Sequence, residues 1–273
     1  MTFIQLLGWL GFVRVLYELY NFVVYTFLTK KRRDLAKVYG EGSYAVITGS
    51  SDGIGLGYAK FLAESGFNLV CIARSAEKLK EKEKEIREYA SKRKDLKIVN
   101  IVKDFSESYK PEFYTDILAT LSKLDVSILV NNVGLGEGEF GKILPQSFKL
   151  LIDSVVVNCC SQIGMFKTVW PLMKERSNRA RSAKRCAIVD LSSIVSILPH
   201  HQLSVYGATK DFNQFVTLGL SAYLSNPAAT SSKDIPTDID FLSVQPYFVE
   251  SNMTVNYKKR LESINHPDAK CFV

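Results

Sequence analysis

Six short apolar runs alternate along the chain with longer stretches of helical periodicity. The runs occupy residues 43–48, 68–73, 97–102, 127–131, 187–191 and 240–245. They are continuous rather than alternating, which is the mark of strands covered on both faces. Between them, residues 55–65, 76–90, 111–121, 148–174 and 204–224 read as helices. Strand and helix in regular alternation predict an open parallel α/β sheet in one domain, with helices on both faces. Two polar stretches, 176–185 and 226–238, read as solvated loops.

The N-terminus breaks this pattern. Residues 3–28 are almost wholly apolar or aromatic, interrupted by Arg14 and Glu18, which are four apart and so share a helical face. The length suffices to cross a bilayer as a helix, and no small-residue cleavage site follows a basic leader. Lys30, Lys31, Arg32 and Arg33 come next and direct the following domain to the cytosol under the positive-inside rule. We therefore expect residues 1–35 to be a membrane anchor with a basic flank. The alternative is an amphipathic helix lying in the interface.

Composition narrows the function classes. With 47% hydrophobic and 23% charged residues, the 273-residue chain is foldable throughout. The net charge of +7 sits in clumps, at 30–33 and 174–185, with no nucleic-acid module around them, so no nucleic-acid partner is expected. Five cysteines without a Cys-x-x-Cys pair, and an adjacent Cys159-Cys160, indicate free thiols in a reducing compartment. Three histidines, two of them the neighbours His200 and His201, make no metal site.

The first run delivers a glycine-rich turn into a helix: Tyr44-Ala-Val-Ile-Thr48-Gly49-Ser-Ser-Asp-Gly53-Ile-Gly55. Gly49 permits the turn, Gly53 lets a pyrophosphate approach the backbone, and Gly55 allows close strand–helix packing. The helix start supplies N–H donors for the anion. Gly49, Ser51, Asp52, Gly53, Ile54 and Gly55 are thus expected to contact a dinucleotide. Arg74 ends the second run where an acidic residue would engage the ribose diol of NAD, and its guanidinium suits the 2'-phosphate of NADP(H). Asp104 closes the third run beside the expected adenine pocket. Asn131-Asn132-Val133-Gly134 closes the fourth, where the amides either stitch backbone turns together or, at Asn131, contact the cofactor.

Tyr206-Gly-Ala-Thr-Lys210 sets a phenol and an ammonium one helical turn apart. The lysine charge favours phenolate and makes Tyr206 a usable acid for carbonyl reduction. Ser193, just past the fifth run, is placed to hold the carbonyl oxygen; strand alternation sends its rival Ser192 the other way. Asn158 is expected to use a local helix distortion to position a water between Lys210 and solvent. A serine hydrolase is excluded on parts: Gly-x-Ser-x-Gly is absent and no histidine completes a triad.

Taken together, Thr48-Gly49-x-x-x-Gly53-x-Gly55, Asn131-Asn132-Val133-Gly134, Asn158, Ser193 and Tyr206-x-x-x-Lys210 resemble the short-chain dehydrogenase/reductase superfamily over residues 42–255. The resemblance implies a Rossmann-like doubly wound sheet and a catalytic tetrad of Asn158, Ser193, Tyr206 and Lys210. The wording of the glycine turn, Val244-Gln-Pro-Tyr-Phe-Val and the apolar N-terminus are similar to the membrane-bound branch. That branch holds the very-long-chain 3-oxoacyl-CoA reductases and the 17-beta-hydroxysteroid dehydrogenases of the endoplasmic reticulum. It implies NADPH-dependent reduction of an apolar ketone, a long-chain 3-oxoacyl-CoA in fatty-acid elongation before a steroid ketone, by a domain facing the cytosol. It also implies membrane lipid, and a homodimer or an elongation complex, as partners. A catalytically silent nucleotide-binding scaffold is the reading outside enzymes. Three departures stand out: Ser196 occupies a position where glycine is usual, the 176–185 and 226–238 loops are enlarged, and the 36–273 domain is expected to lack the usual C-terminal extension beyond a lid at 253–264.

Overall fold

A computed structural model of the chain describes residues 2–24, 34–136, 146–179, 185–199, 203–226 and 238–249. The basic flank, His200, His201 and the expected lid beyond Met253 lie outside the described residues. The chain divides into two compact units, Met1–Asp34 and Leu35–Val273.

The first unit is the helix α1 (Phe3–Val23). It opens with a reciprocal cap, in which the Gln5 N–H donates to Thr2 Oγ1 at 3.4 Å and the Thr2 N–H donates to Gln5 Oε1 at 2.9 Å. Arg14 and Glu18 pair on its surface at 2.5 Å, as their spacing predicts. Trp9, Leu10, Phe12, Val15 and Tyr20 are all more than half exposed. Residues 25–28 of the expected span lie outside the described residues. Among the described residues the stretch long and apolar enough to cross a bilayer, by length and composition, is Phe148–Asn178, with mean hydropathy 1.2. Residues 148–178 are apolar because they cover the sheet: Met165, Val169 and Met173 are fully buried there.

In the second unit six parallel strands form one sheet: β1 (Tyr44–Thr48), β2 (Asn68–Ala73), β3 (Ile98–Val102), β4 (Val126–Asn131), β5 (Cys186–Leu191) and β6 (Ile239–Val244). Their order is β3-β2-β1-β4-β5-β6. Winding therefore reverses between β1 and β4, and the carboxyl ends of those strands open the crevice where ligands bind in sheets of this kind. Side-chain alternation splits each strand between two cores. Ala45 and Ile47 join one with Leu62, Phe67 and Leu69, while Val46 joins the other with Ile72, Ile117, Leu129 and Met165. The first core is covered by α3 (Gly53–Glu64) and α4 (Ala76–Tyr89), the second by α5 (Thr115–Leu121) and α7 (Ser161–Arg179). The helix expected at 111–121 begins as a 3-10 turn, Pro111–Tyr114, with proline in its first turn.

The helix expected at 148–174 is interrupted and longer. It runs as α6 (Phe148–Val155), a π-helical turn (Val156–Cys160) and α7. Nor is Arg176 a solvated loop residue. It lies in α7, 6% exposed, and donates to Asp125 Oδ1 (2.8 Å), Tyr39 O (2.7 Å) and Arg185 O (3.1 Å). Arg185 in turn grips both carboxylate oxygens of Asp240, which also accepts from the Tyr39 hydroxyl at 3.0 Å. These bonds fasten the short α2 (Leu35–Tyr39) to the edge of the sheet opposite the crevice.

Candidate active site

At the exit of β1 the backbone turns through Gly49 (φ +67°) and Gly53 (φ +49°), the left-handed region that favours glycine. A Cβ on Gly55 would fall inside contact distance of Gly49 O and Asn132 Nδ2, and one on Gly49 would stand 2.9 Å from Asn132 Nδ2. Space here is reserved for backbone. Asn132 stitches the two strand exits together: Nδ2 donates to Thr48 O (3.0 Å) and Gly49 O (3.1 Å), while Thr48 Oγ1 accepts the N–H groups of Asn132 and Val133, both at 3.0 Å. Asp52 takes the extended N-cap position of α3, so the first turn of α3 aims its N–H donors into the crevice. A dinucleotide pyrophosphate fits this cradle of bare backbone and helix start.

Arg74 stands exposed just past β2, next to Ser75, whose hydroxyl caps α4 by accepting from Lys78 N at 3.2 Å. Asp104 follows β3 and accepts the Ser106 N–H at 3.0 Å. Both lie at the carboxyl edge where adenosine is expected. Asn131 does not present its side chain there. Its register partner on β5 is Asp190, and Nδ2 donates to Asp190 Oδ1 at 2.8 Å in the interior. The Asn131 amide nitrogen is thereby engaged between β4 and β5.

The other half of the crevice comes from β5 and α8 (Ser204–Ser225). Ser193, 9% exposed, leaves β5 and opens a 3-10 turn, its Oγ accepting from Val195 N at 3.5 Å. Ser192 points away, as alternation predicts, and donates to Lys210 O at 2.6 Å. A Cβ on Gly207 would lie 3.2 Å from Val195 O, so glycine is what lets α8 approach the Ser193 turn. Lys210 Nζ sits 5.8 Å from the centroid of the Tyr206 ring and donates to Leu191 O at 2.7 Å.

Asn158 occupies the π turn. Its Oδ1 accepts the Leu135 N–H at 2.7 Å, and Nδ2 donates to Leu135 O (3.0 Å) and Thr209 Oγ1 (2.8 Å). Next to Leu135, the Cβ position of Gly134 is 3.4 Å from both Asn158 Oδ1 and Lys210 Nζ, so the asparagine and the lysine flank one bare glycine. Asn158, Ser193, Tyr206 and Lys210 thus come from three segments to the same corner, at the carboxyl end of β4 and β5.

Burial governs the electrostatics. It lowers Lys210 from its ordinary 10.5 to about 8, with Cys159 and Asp190 pulling the other way. Burial likewise raises Cys159 to about 11. Asp190, 2% exposed, is held above the usual carboxylate range by burial, against hydrogen bonds from Thr217 (2.6 Å) and Asn131.

A polar seam behind the corner is absent from the sequence-level expectation. On α8, Thr209, Asn213 and Thr217 follow one another at intervals of four and are nearly buried. Gln162 Nε2 meets them from α7, donating to Asn213 O (3.0 Å) and Thr217 Oγ1 (3.2 Å). The signal that could have found it is that spacing, three polar residues stacked on one face of α8, facing Asn158 and Gln162, themselves four apart.

Comparison with known proteins agrees with this geometry. The short chain dehydrogenase family model matches residues 43–262. The very-long-chain 3-oxoacyl-CoA reductase of Schizosaccharomyces pombe is 30% identical over 256 residues, 93% of this chain and 69% of that protein. The protein of the same name in Kluyveromyces lactis is 35% identical over 239 residues, 86% of this chain and 62% of its own length. The chain therefore spans roughly two thirds of the length of the curated relatives it matches. Among solved structures, a short-chain dehydrogenase from Sphingobium yanoikuyae in complex with NADPH superposes with a TM-score of 0.67 at 23% identity, covering 84% of this chain and 80% of that one. Glycine turn, Asn132 stitch and the Ser193–Tyr206–Lys210 corner on a sheet of this order all follow from one ancestry: the chain belongs to the short-chain dehydrogenase family.

Proposed function

We propose that this chain is an NADPH-dependent reductase of a ketone on an apolar substrate, a long-chain 3-oxoacyl-CoA that leaves as the 3-hydroxyacyl-CoA. The observation that carries the reading is the buried Lys210 one turn from Tyr206, with Ser193 across from them at the mouth of a glycine cradle. Gly49, Ser51, Asp52, Gly53, Ile54 and Gly55 hold the pyrophosphate, Arg74 takes the 2'-phosphate, and Asp104 borders the adenine. The nicotinamide supplies a hydride when bound. Ser193 holds the carbonyl oxygen, Tyr206 gives it a proton, and Lys210, by its charge, makes the phenol a better acid. Asn158 keeps the Lys210 end open to a water that returns the proton.

Two kinds of observation support the substrate. The curated relatives named above are very-long-chain 3-oxoacyl-CoA reductases. Exposed apolar side chains also stand at the exits of β5 and β6, Ile197 (57%), Leu198 (73%) and Tyr247 (56%), where an acyl chain or a steroid would be desolvated. NADPH consumption with 3-oxoacyl-CoA of graded length and with steroid ketones, using Tyr206→Phe as control, tests the assignment. Turnover with steroid ketones alone would move the substrate to that class, and turnover unchanged in Tyr206→Phe would overturn the mechanism.

The exposed apolar surface of α1 supports membrane association of residues 1–35, which we place at the endoplasmic reticulum with the catalytic unit on the cytosolic side. Deleting residues 1–35 should free the protein from membranes that survive an alkaline wash; a truncated chain that stays bound would refute the anchor. Exposed Phe148 and Phe215, on the adjoining helices α6 and α8, support a homodimer.

A further inference from the structure

We propose that Ser196, Gln214 and Gln245 form a polar clamp that sets the spacing between Ser193 and Tyr206, with Ser196 at its centre. The inference rests on the catalytic reading above and adds to it residues that never touch the substrate.

Ser193 is poorly held by its own hydroxyl, whose bond from Val195 N is long at 3.5 Å. Its carbonyl is held instead. Ser193 O accepts both the N–H of Ser196, at 3.1 Å, and its hydroxyl, at 2.7 Å. The same hydroxyl shares its one proton between Ser193 O and Gln214 Oε1 on α8, 3.0 Å away, and accepts from Gln245 Nε2, at the end of β6, at 3.0 Å. Gln245 Nε2 closes the triangle on Gln214 Oε1. One hydroxyl therefore joins the catalytic turn to the helix and to the neighbouring strand.

The position of Gln214 gives the clamp its leverage. Tyr206, Lys210 and Gln214 follow at intervals of four, so they share a face of α8. That face meets the β5 exit at three heights: Gly207 against Val195 O, Lys210 O against the Ser192 hydroxyl, and Gln214 against Ser196. Lys210 and Thr217 also fasten α8 to the body of β5, but Gln214 is the α8 side chain that reaches the turn carrying Ser193 itself. A glycine at 196 would have no side chain to make the contact. Ser196 is thus a positioning residue for hydride and proton transfer.

The test uses the full chain carrying Ser196→Ala, Ser196→Gly, Gln214→Leu or Gln214→Glu. Loss of the clamp should lower kcat on the order of tenfold and leave KM and NADPH affinity within about twofold, because orientation and not binding is lost. Gln214→Glu should recover most of that loss relative to Gln214→Leu, since a carboxylate oxygen accepts from Ser196 and Gln245 alike. Backbone hydrogen exchange at residues 194–197 should quicken in Ser196→Ala whether or not a substrate is known, which separates failure of the clamp from failure of the proposed reaction. Unchanged kcat and exchange in both serine variants, or a Gln214→Glu protein as impaired as Gln214→Leu, would overturn the proposal.

Discussion

The ammonium of Lys210 donates to the carbonyl oxygen of Leu191 at 2.7 Å, so this buried cation is moored to the last residue of β5 and, among the described residues, not to a carboxylate. A backbone dipole compensates a buried charge only partly, which is why burial lowers Lys210 to about 8.

That shift has a sign in stability. Folded Lys210 binds its proton less tightly than the unfolded chain, whose lysine titrates near 10.5. The penalty is full below pH 8, is relieved between 8 and 10.5, and is absent above, amounting to about 3 kcal/mol at neutral pH. Lys210→Met should therefore abolish turnover yet raise the Tm of the cofactor-free protein on the order of 5 °C at pH 7, with no gain above pH 10.5. A pH-independent change in Tm would contradict it. In the active enzyme kcat/KM should decline above about pH 8 as Lys210 loses its charge.

Asp190 behaves in the opposite sense. Its raised folded pKa means that the native state binds the proton more tightly, so its ionised form costs stability at neutral pH and the cost is recovered as pH falls from the raised value toward the ordinary 3.8. An asparagine amide can still accept from Asn131 and donate to Thr217, so Asp190→Asn should keep the fold and erase this contribution. Asp190→Leu strands the Asn131 amide, while the Thr217 hydroxyl keeps Asn213 O, and should cost about 2 kcal/mol in urea unfolding.

Gly55→Ala tests the cradle. Its new methyl must displace Gly49 O or Asn132 Nδ2, so stability should drop by up to about 3 kcal/mol and NADPH affinity should fall with it. Full affinity in a stable variant would show that the turn can yield.

Arg176→Met should loosen α2. The carbonyls of Tyr39 and Arg185 lose their donor, at a cost of about 2 kcal/mol, and exchange should quicken first in residues 35–39. Catalysis at the other edge of the sheet should be little affected.

The strands were legible almost to the residue, because β1, β2 and β4 are buried on both faces and leave unbroken apolar runs. Ser193, Tyr206 and Lys210 were legible because strand end and helical turn bring them together by local geometry. What escaped was long-range. Nothing in Asn131 says that a neighbour on another strand, Asp190, will claim its amide. Arg176 looks like any basic loop residue until Asp125, Tyr39 and Arg185 surround it. Ser196 read as a departure from a pattern, and its partners Gln214 and Gln245 are 18 and 49 positions away.

The π turn at Val156–Cys160 carries a final consequence, for insertions and deletions. Such a turn holds one residue more than an α-helix would, so α6 and α7 are out of phase by about 100°. Deleting any one residue there would restore a regular helix, and with it either Asn158 swings off Leu135 or Met165 and Val169 peel from the sheet. A loop absorbs the loss of a residue by closing up. Here the count itself sets the geometry, so a one-residue deletion is felt at Asn158 or at the sheet whatever side chain is removed.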